Sequence, residues 1–141
     1  MRIVLDTNVF IAAALKSGLA REIIELANKR HFFSLITSEE ILSELRQKLL
    51  SKFDHSEANV DIYVAKIRRT FEIVKIKEKL SIIKRDPDDN KILECAISGR
   101  ADLIISADQD LIKLKKFRGV GIVHPKTLAW TLPEYFKKTK S

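Results

Sequence analysis

The stretch "IIKRDPDDNKILECA", Ile82 to Ala96, sets Asp86, Asp88 and Asp89 within four positions, directly ahead of an apolar run with helical spacing. Acidic residues favour the first turn of a helix, so one or two need no special cause. Three of them, behind two basic residues and a proline, also fit one wall of a metal site. Pro87 disfavours helix at Asp86 and places it in a turn. Asp88 or Asp89 can cap the helix. Helical spacing from Asp89 leads to Ile92, Leu93 and Ala96, the apolar face, so Asp89 is the aspartate expected to point inward.

Other carboxylates fall at suggestive places. Asp6 follows the apolar run "RIVL", and Asp108 lies two residues past "DLIIS". If both runs are strands of a parallel sheet, the two aspartates lie where such sheets bind ligands, outside the carboxyl ends of the strands. Each could instead cap the next helix. Glu44 lies beside the stripe Ile41, Leu42, Leu45 and Leu49, as an edge residue or pointed into a polar site. Glu39 and Glu40 belong to the first turn of that helix. Asp6, Glu44, Asp89 and Asp108 would form an all-oxygen site, suited to Mg²⁺ or Mn²⁺ rather than zinc. His31, His55 and His124 have no metal-ligand spacing, and the one cysteine, Cys95, reads as a small buried hydrophobe. No Ser-His-Asp set and no phosphate-cradling glycine loop is present.

The elements that must position these groups alternate. Strands are expected at "RIVL", "FFSLI" (Phe32 to Ile36), "FEIVKI", "DLIIS" (Asp102 to Ser106) and "GIVH" (Gly121 to His124). Helices are expected from Asn8 to near Gly18, over "LAREIIELANKR", over "SEEILSELRQKLL" behind a Thr37/Glu40 capping box, and from about Glu57 to Phe71. Further helices are expected over "NKILECAISG", over "ADQDLIKLKKF" and from Pro125 to about Leu132. This alternation argues an α/β fold: a three-layer α/β/α sandwich around a mainly parallel sheet of about five strands. Residues 1–132 are expected to form the domain, with 133–141 a basic tail.

With 141 residues, 45% of them hydrophobic, the chain can build one core and has little room for a second. No apolar run approaches bilayer length, and "MRIVLDTNVF" does not read as a secretory signal, so a cytoplasmic protein without membrane contact is expected. The formal net charge of +7 favours a polyanionic partner. The surplus is clustered: Lys113, Lys115, Lys116 and Arg118 in one segment, Lys75, Lys77 and Lys79 in another, and Lys137, Lys138 and Lys140 at the tail.

In this order the motifs resemble the PIN-domain nucleases, and among them the toxin type related to VapC. "IVLDTNVFIAA" is similar to the opening strand and first acidic residue, Asp6, followed by Asn8. "ITSEEILSEL" is similar to the segment carrying the helix-borne glutamate, Glu44. "DPDDNKILECAISGRADLIISADQDL" is similar to the densest signature, with Asp89 and Asp108 at the third and fourth acidic positions. Ser106 matches the small hydroxyl residue before the last, and Asp110 an extra acidic position that would add to the metal ligands. The resemblance implies Mg²⁺- or Mn²⁺-dependent hydrolysis of RNA, with Asp6, Glu44, Asp89 and Asp108 catalytic and Asn8 and Ser106 orienting them. It also implies a homodimer and an antitoxin partner. Lys113, Lys115 and Lys116 would track phosphates flanking the cut, with Arg85 and Lys91 as weaker candidates. The competing readings are a catalytically silent nucleic-acid-binding module and a metal phosphohydrolase of small phosphate esters.

Overall fold

The structure is a computed structural model and describes residues 1–29 and 33–136. Its first strand, β1 (Arg2–Leu5), has Ile3, Val4 and Leu5 all fully buried. Successive strand residues point to opposite faces, so both faces of the sheet are covered. Helices α1 (Thr7–Leu15) and α2 (Leu19–Lys29) follow, then β2 (Ser34–Thr37), α3 (Glu39–Ser51), α4 (Glu57–Thr70) and β3 (Glu72–Ile73). After a long connector come α5 (Asp89–Ser98), β4 (Leu103–Ile105), α6 (Gln109–Ile112), β5 (Lys116–Phe117), β6 (Val120–Val123), α7 (Pro125–Thr131) and a 3₁₀ turn, Pro133–Tyr135.

The sheet has six strands in the order β3-β2-β1-β4-β6-β5. All neighbours pair in parallel except β5 and β6. Helix α5 packs on β1 and β4, whereas α1 packs on α2 and α3, giving the α/β/α arrangement expected. Among the described residues no helix is long and apolar enough to cross a membrane.

Several elements differ from expectation for local reasons. Helix α1 stops at Leu15 because Lys16 is extended. The cap of α3 is Ser38, whose hydroxyl accepts from the Ile41 amide at 3.2 Å; Thr37 is still in β2. Strand β3 keeps only two residues of "FEIVKI". The segment read as one helix over "ADQDLIKLKKF" breaks after Ile112, and its end becomes β5, a sixth strand. The antiparallel pair turns on Arg118 and Gly119, with φ of 47° and 85°. A two-residue hairpin with both φ positive matches the right-handed twist of its strands. Beyond Leu132 the chain stays packed as far as Phe136, which is buried in the core. His31, Phe32 and the lysines at 137, 138 and 140 lie outside the described residues.

Candidate active site

The strand order reverses across β1 and β4, and the crevice beyond their carboxyl ends is the expected ligand position of such a sheet. Asp6 leaves β1 there and is 3% exposed. It occupies the N-cap position of α1 without capping it through its side chain. Its Oδ2 instead accepts from the Ser106 hydroxyl at 2.7 Å. Ser106 Oγ accepts in turn from the Asp108 amide at 3.0 Å. One buried serine thus ties the ends of β1 and β4 together. Burial holds the Asp6 carboxyl above its usual range; the Ser106 bond opposes this, and the Asp108 charge adds to it.

Asp108 does two things at once. Its Oδ1 caps α6 by accepting from the Asp110 amide at 2.8 Å, and its carboxylate borders the crevice. Asp89 opens α5 and is 6% exposed, while Asp88 turns outward to Lys91 at 3.0 Å. Asp86, expected only as a turn residue, also faces in. The Asp89 amide donates to the Asp86 carbonyl at 3.0 Å, which folds the turn back. Asp86, Asp89 and Asp108 each bring one carboxylate oxygen into a group whose members all lie within 4.8 Å. Burial, then the charges of Asp108, Asp6 and Asp86, push the Asp89 carboxyl up to about 8.

Glu44 is buried, but its oxygens are engaged outside that compact group. Oε1 pairs with Lys48 at 3.0 Å, one helical turn on, and Oε2 receives a long 3.4 Å bond from the Thr7 hydroxyl. Burial works against the Lys48 charge, yet Glu44 first, then Asp6 and Asp86, hold its pKa above the usual value. Lys48 is therefore a resident cation among the carboxylates. Asp110 lies 3.8 Å from the Arg85 guanidinium. Both line an open pocket of about 380 Å³ together with Asp86, Asp108 and Gln109. Asn8 is exposed. Lys113, Lys115 and Lys116 are exposed beyond the end of α6, and the pocket's cation is Arg85. A comparable cavity of about 370 Å³ between α1, α2 and α4 has no acidic cluster.

Reading the chain by segments missed Asp86, Lys48 and Thr7. Only Lys48 left a trace, the i, i+4 spacing from Glu44. The burial that makes the pair matter comes from the packing of α3 on α1 and α5.

The donor set is all oxygen, the chemistry of Mg²⁺ or Mn²⁺ sites. Asp89 Oδ2 is buried without a hydrogen-bond partner among the described residues. Buried polar atoms nearly always have a partner, and a cation at the triad would supply it. The residues therefore fit a divalent ion.

Comparison with known proteins accords with this fold. The structure is similar to VapBC2 from Rickettsia felis bound to a DNA fragment from their promoter, with TM-score 0.63 and 19% identity over 86% of this chain and 97% of that one. It is similar to VapBC-1 from nontypeable Haemophilus influenzae, with TM-score 0.64 and 14% identity over 89% and 99%. PAE2754 from Pyrobaculum aerophilum gives TM-score 0.57 and 14% identity over 94% and 89%. At such identities these likenesses concern the fold. No curated protein matches the sequence. A family model for the PIN domain matches residues 2–110, which covers β1 through Asp110 and every carboxylate described above, and the chain belongs to the PIN domain family.

Proposed function

We propose that this chain is a divalent-metal-dependent ribonuclease and the toxin of a toxin–antitoxin pair. The observation that carries the reading is the carboxylate group at the reversal of strand order, one of whose members, Asp89, also has a buried oxygen, Oδ2, without a hydrogen-bond partner among the described residues. Asp86, Asp89 and Asp108 would hold the ion, with Asp6 beside them. Bound there, a divalent ion supplies activation of the attacking water and neutralisation of charge building on the phosphate.

The chain's own residues have separate tasks in this scheme. Ser106 fixes the Asp6 carboxylate and, through the Asp108 amide, the direction of that loop. Lys48 neutralises Glu44 and reduces the repulsion an RNA phosphate meets on approach. Arg85, at the pocket rim, suits a phosphate next to the cut. The net charge of +7 draws the polyanion to a site whose own charge is negative. VapBC structures are among the structural neighbours, which supports an antitoxin partner for this chain. The likeness to toxin-type PIN domains extends the proposal to a homodimer as its working state.

The test is cleavage of mixed RNAs by the purified chain with Mn²⁺, with EDTA, and with Asp89→Asn. Cleavage requiring both the metal and Asp89 is expected. Undiminished cleavage in EDTA would remove the metal from the reading, and absence of any cleavage with Mn²⁺ would remove the nuclease.

A further inference from the structure

The connector between β3 and α5 has no helix or strand beyond Ile73, yet it is fixed in place. Three residues at successive turns of α5 hold its backbone. Ser98 Oγ accepts from the Lys77 amide at 2.9 Å, and Glu94 Oε2 from the Leu80 amide at 2.8 Å. Asn90 Oδ1 accepts from the Ile82 and Ile83 amides at 3.0 and 2.9 Å, and its Nδ2 donates to the Ile83 carbonyl at 2.8 Å. Asn90 and Glu94 are buried polar residues that the metal site does not use. Their work is to dock a strap that runs antiparallel to α5, over roughly 12 Å of helix at 1.5 Å per residue.

Burial along the strap alternates at its start. Val74 is buried, Ile76 and Leu80 are half-buried, and Lys75, Lys77 and Lys79 are exposed. The strap begins at an open pocket of about 480 Å³, whose lining includes Lys75, Lys77 and Arg100. Among the described residues these three make no ion pair, whereas Arg2 in the same pocket is taken up by Glu72 at 2.9 Å. The strap ends with Lys84, Arg85 and Asp86, where Arg85 and Asp86 line the acidic pocket. A second tether, Arg118 to Glu78 at 3.0 Å, ties its middle to the β5–β6 turn. Lys79 lies 3.8 Å from both Glu94 and Glu40, long pairs at an exposed ammonium that water screens and a phosphate can displace. A row of cations on a backbone anchored this closely is already arranged for a polyanion.

We propose that the strap, residues 75–85, with the basal pocket beside it, is a binding surface for single-stranded RNA, taking phosphates on one side of the cleaved bond as the strand leaves the carboxylates. This rests on the ribonuclease reading above. It assigns the phosphate track to Lys75, Lys77 and Lys79, residues distant in sequence from Lys113, Lys115 and Lys116.

The experiment compares the parent with Lys75→Ala/Lys77→Ala/Lys79→Ala and with a control of equal charge loss, Lys16→Ala/Lys29→Ala/Lys52→Ala, all on exposed lysines. Binding of a fluorescent single-stranded RNA of about 20 nucleotides is followed by anisotropy in EDTA across a salt series. Each lost phosphate contact lowers the slope of log affinity against log salt by about 0.7, so the strap variant should lose about 2 from that slope and ten-fold or more in affinity at low salt. The control should keep the parent's slope. With Mn²⁺, cleavage of a long RNA should fall for the strap variant, while cleavage of a tetranucleotide stays at the parent's rate. If parent and strap variant share one slope, or strap and control variants fall alike, the strap assignment is overturned while the nuclease stands. A parent that neither binds nor cuts RNA overturns the nuclease reading and the strap with it.

Discussion

Replacing Asp89 with asparagine keeps the side chain's shape and removes one charge from the acidic group, and in metal-free protein this should stabilise the fold in a pH-dependent way. The Asp89 carboxyl titrates near 8 in the folded chain, raised by burial and by Asp108, Asp6 and Asp86. In the unfolded chain it titrates near its ordinary value of about 3.9. Between these values the folded state holds a proton that the unfolded state lacks, so stability falls as pH rises through this window and is level above it. A rise of about 4 units corresponds to ~5–6 kcal/mol at full weight. Asp86 and Asp108 border an open pocket, and water there screens the repulsion, so ~2–3 kcal/mol is the working figure. The asparagine variant has no such penalty. In EDTA it should melt about 5–10 °C above the parent near pH 8.5, taking ~2–4 °C per kcal/mol for a domain of this size, and within about 2 °C of it near pH 4.5. Thermal melts across pH provide the assay. A gap that does not change with pH, or a variant less stable than the parent throughout, would refute the claim that Asp89 is crowded by its neighbours.

Three further outcomes follow from the same geometry. Because Asp89 carries a proton at neutral pH in metal-free protein, Mn²⁺ must displace it, and affinity measured by calorimetry should rise several-fold per pH unit from about 6 to 8, with proton uptake by the buffer. Lys48→Met leaves Glu44 buried and uncompensated and should cost ~1–3 kcal/mol by urea unfolding; adding Glu44→Gln should recover most of it, a coupling that a double-mutant cycle measures. Asn90→Ala leaves the Ile82 and Ile83 amides and the Ile83 carbonyl without their partner; a loss of ~1–3 kcal/mol is expected, with faster hydrogen exchange at those two amides than elsewhere in the core.

What the sequence determined by itself is what depends on near neighbours. Alternating strands and helices, the parallel sheet and the inward direction of Asp89 follow from spacings of two to four residues, which local sterics and burial set. The placement of Asp6 and Asp108 at strand ends was legible for the same reason. A strand of two residues such as β5 has no period to detect; only its turn at Arg118–Gly119 marks it, and it exists through pairing with β6. Asp86 reads as a turn residue and is one, and its second role needs Asp108, brought near by β4. Glu44 stood between an edge position and a polar site because its burial depends on α1 and α5. The Ser106–Asp6 bond joins residues 100 positions apart, and Asn90 and Glu94 acquire their role only where the strap lies against them. Carboxylate repulsion, proton affinity and phosphate tracks depend on distances across the fold, and those distances are fixed only when the strands pair and the helices pack.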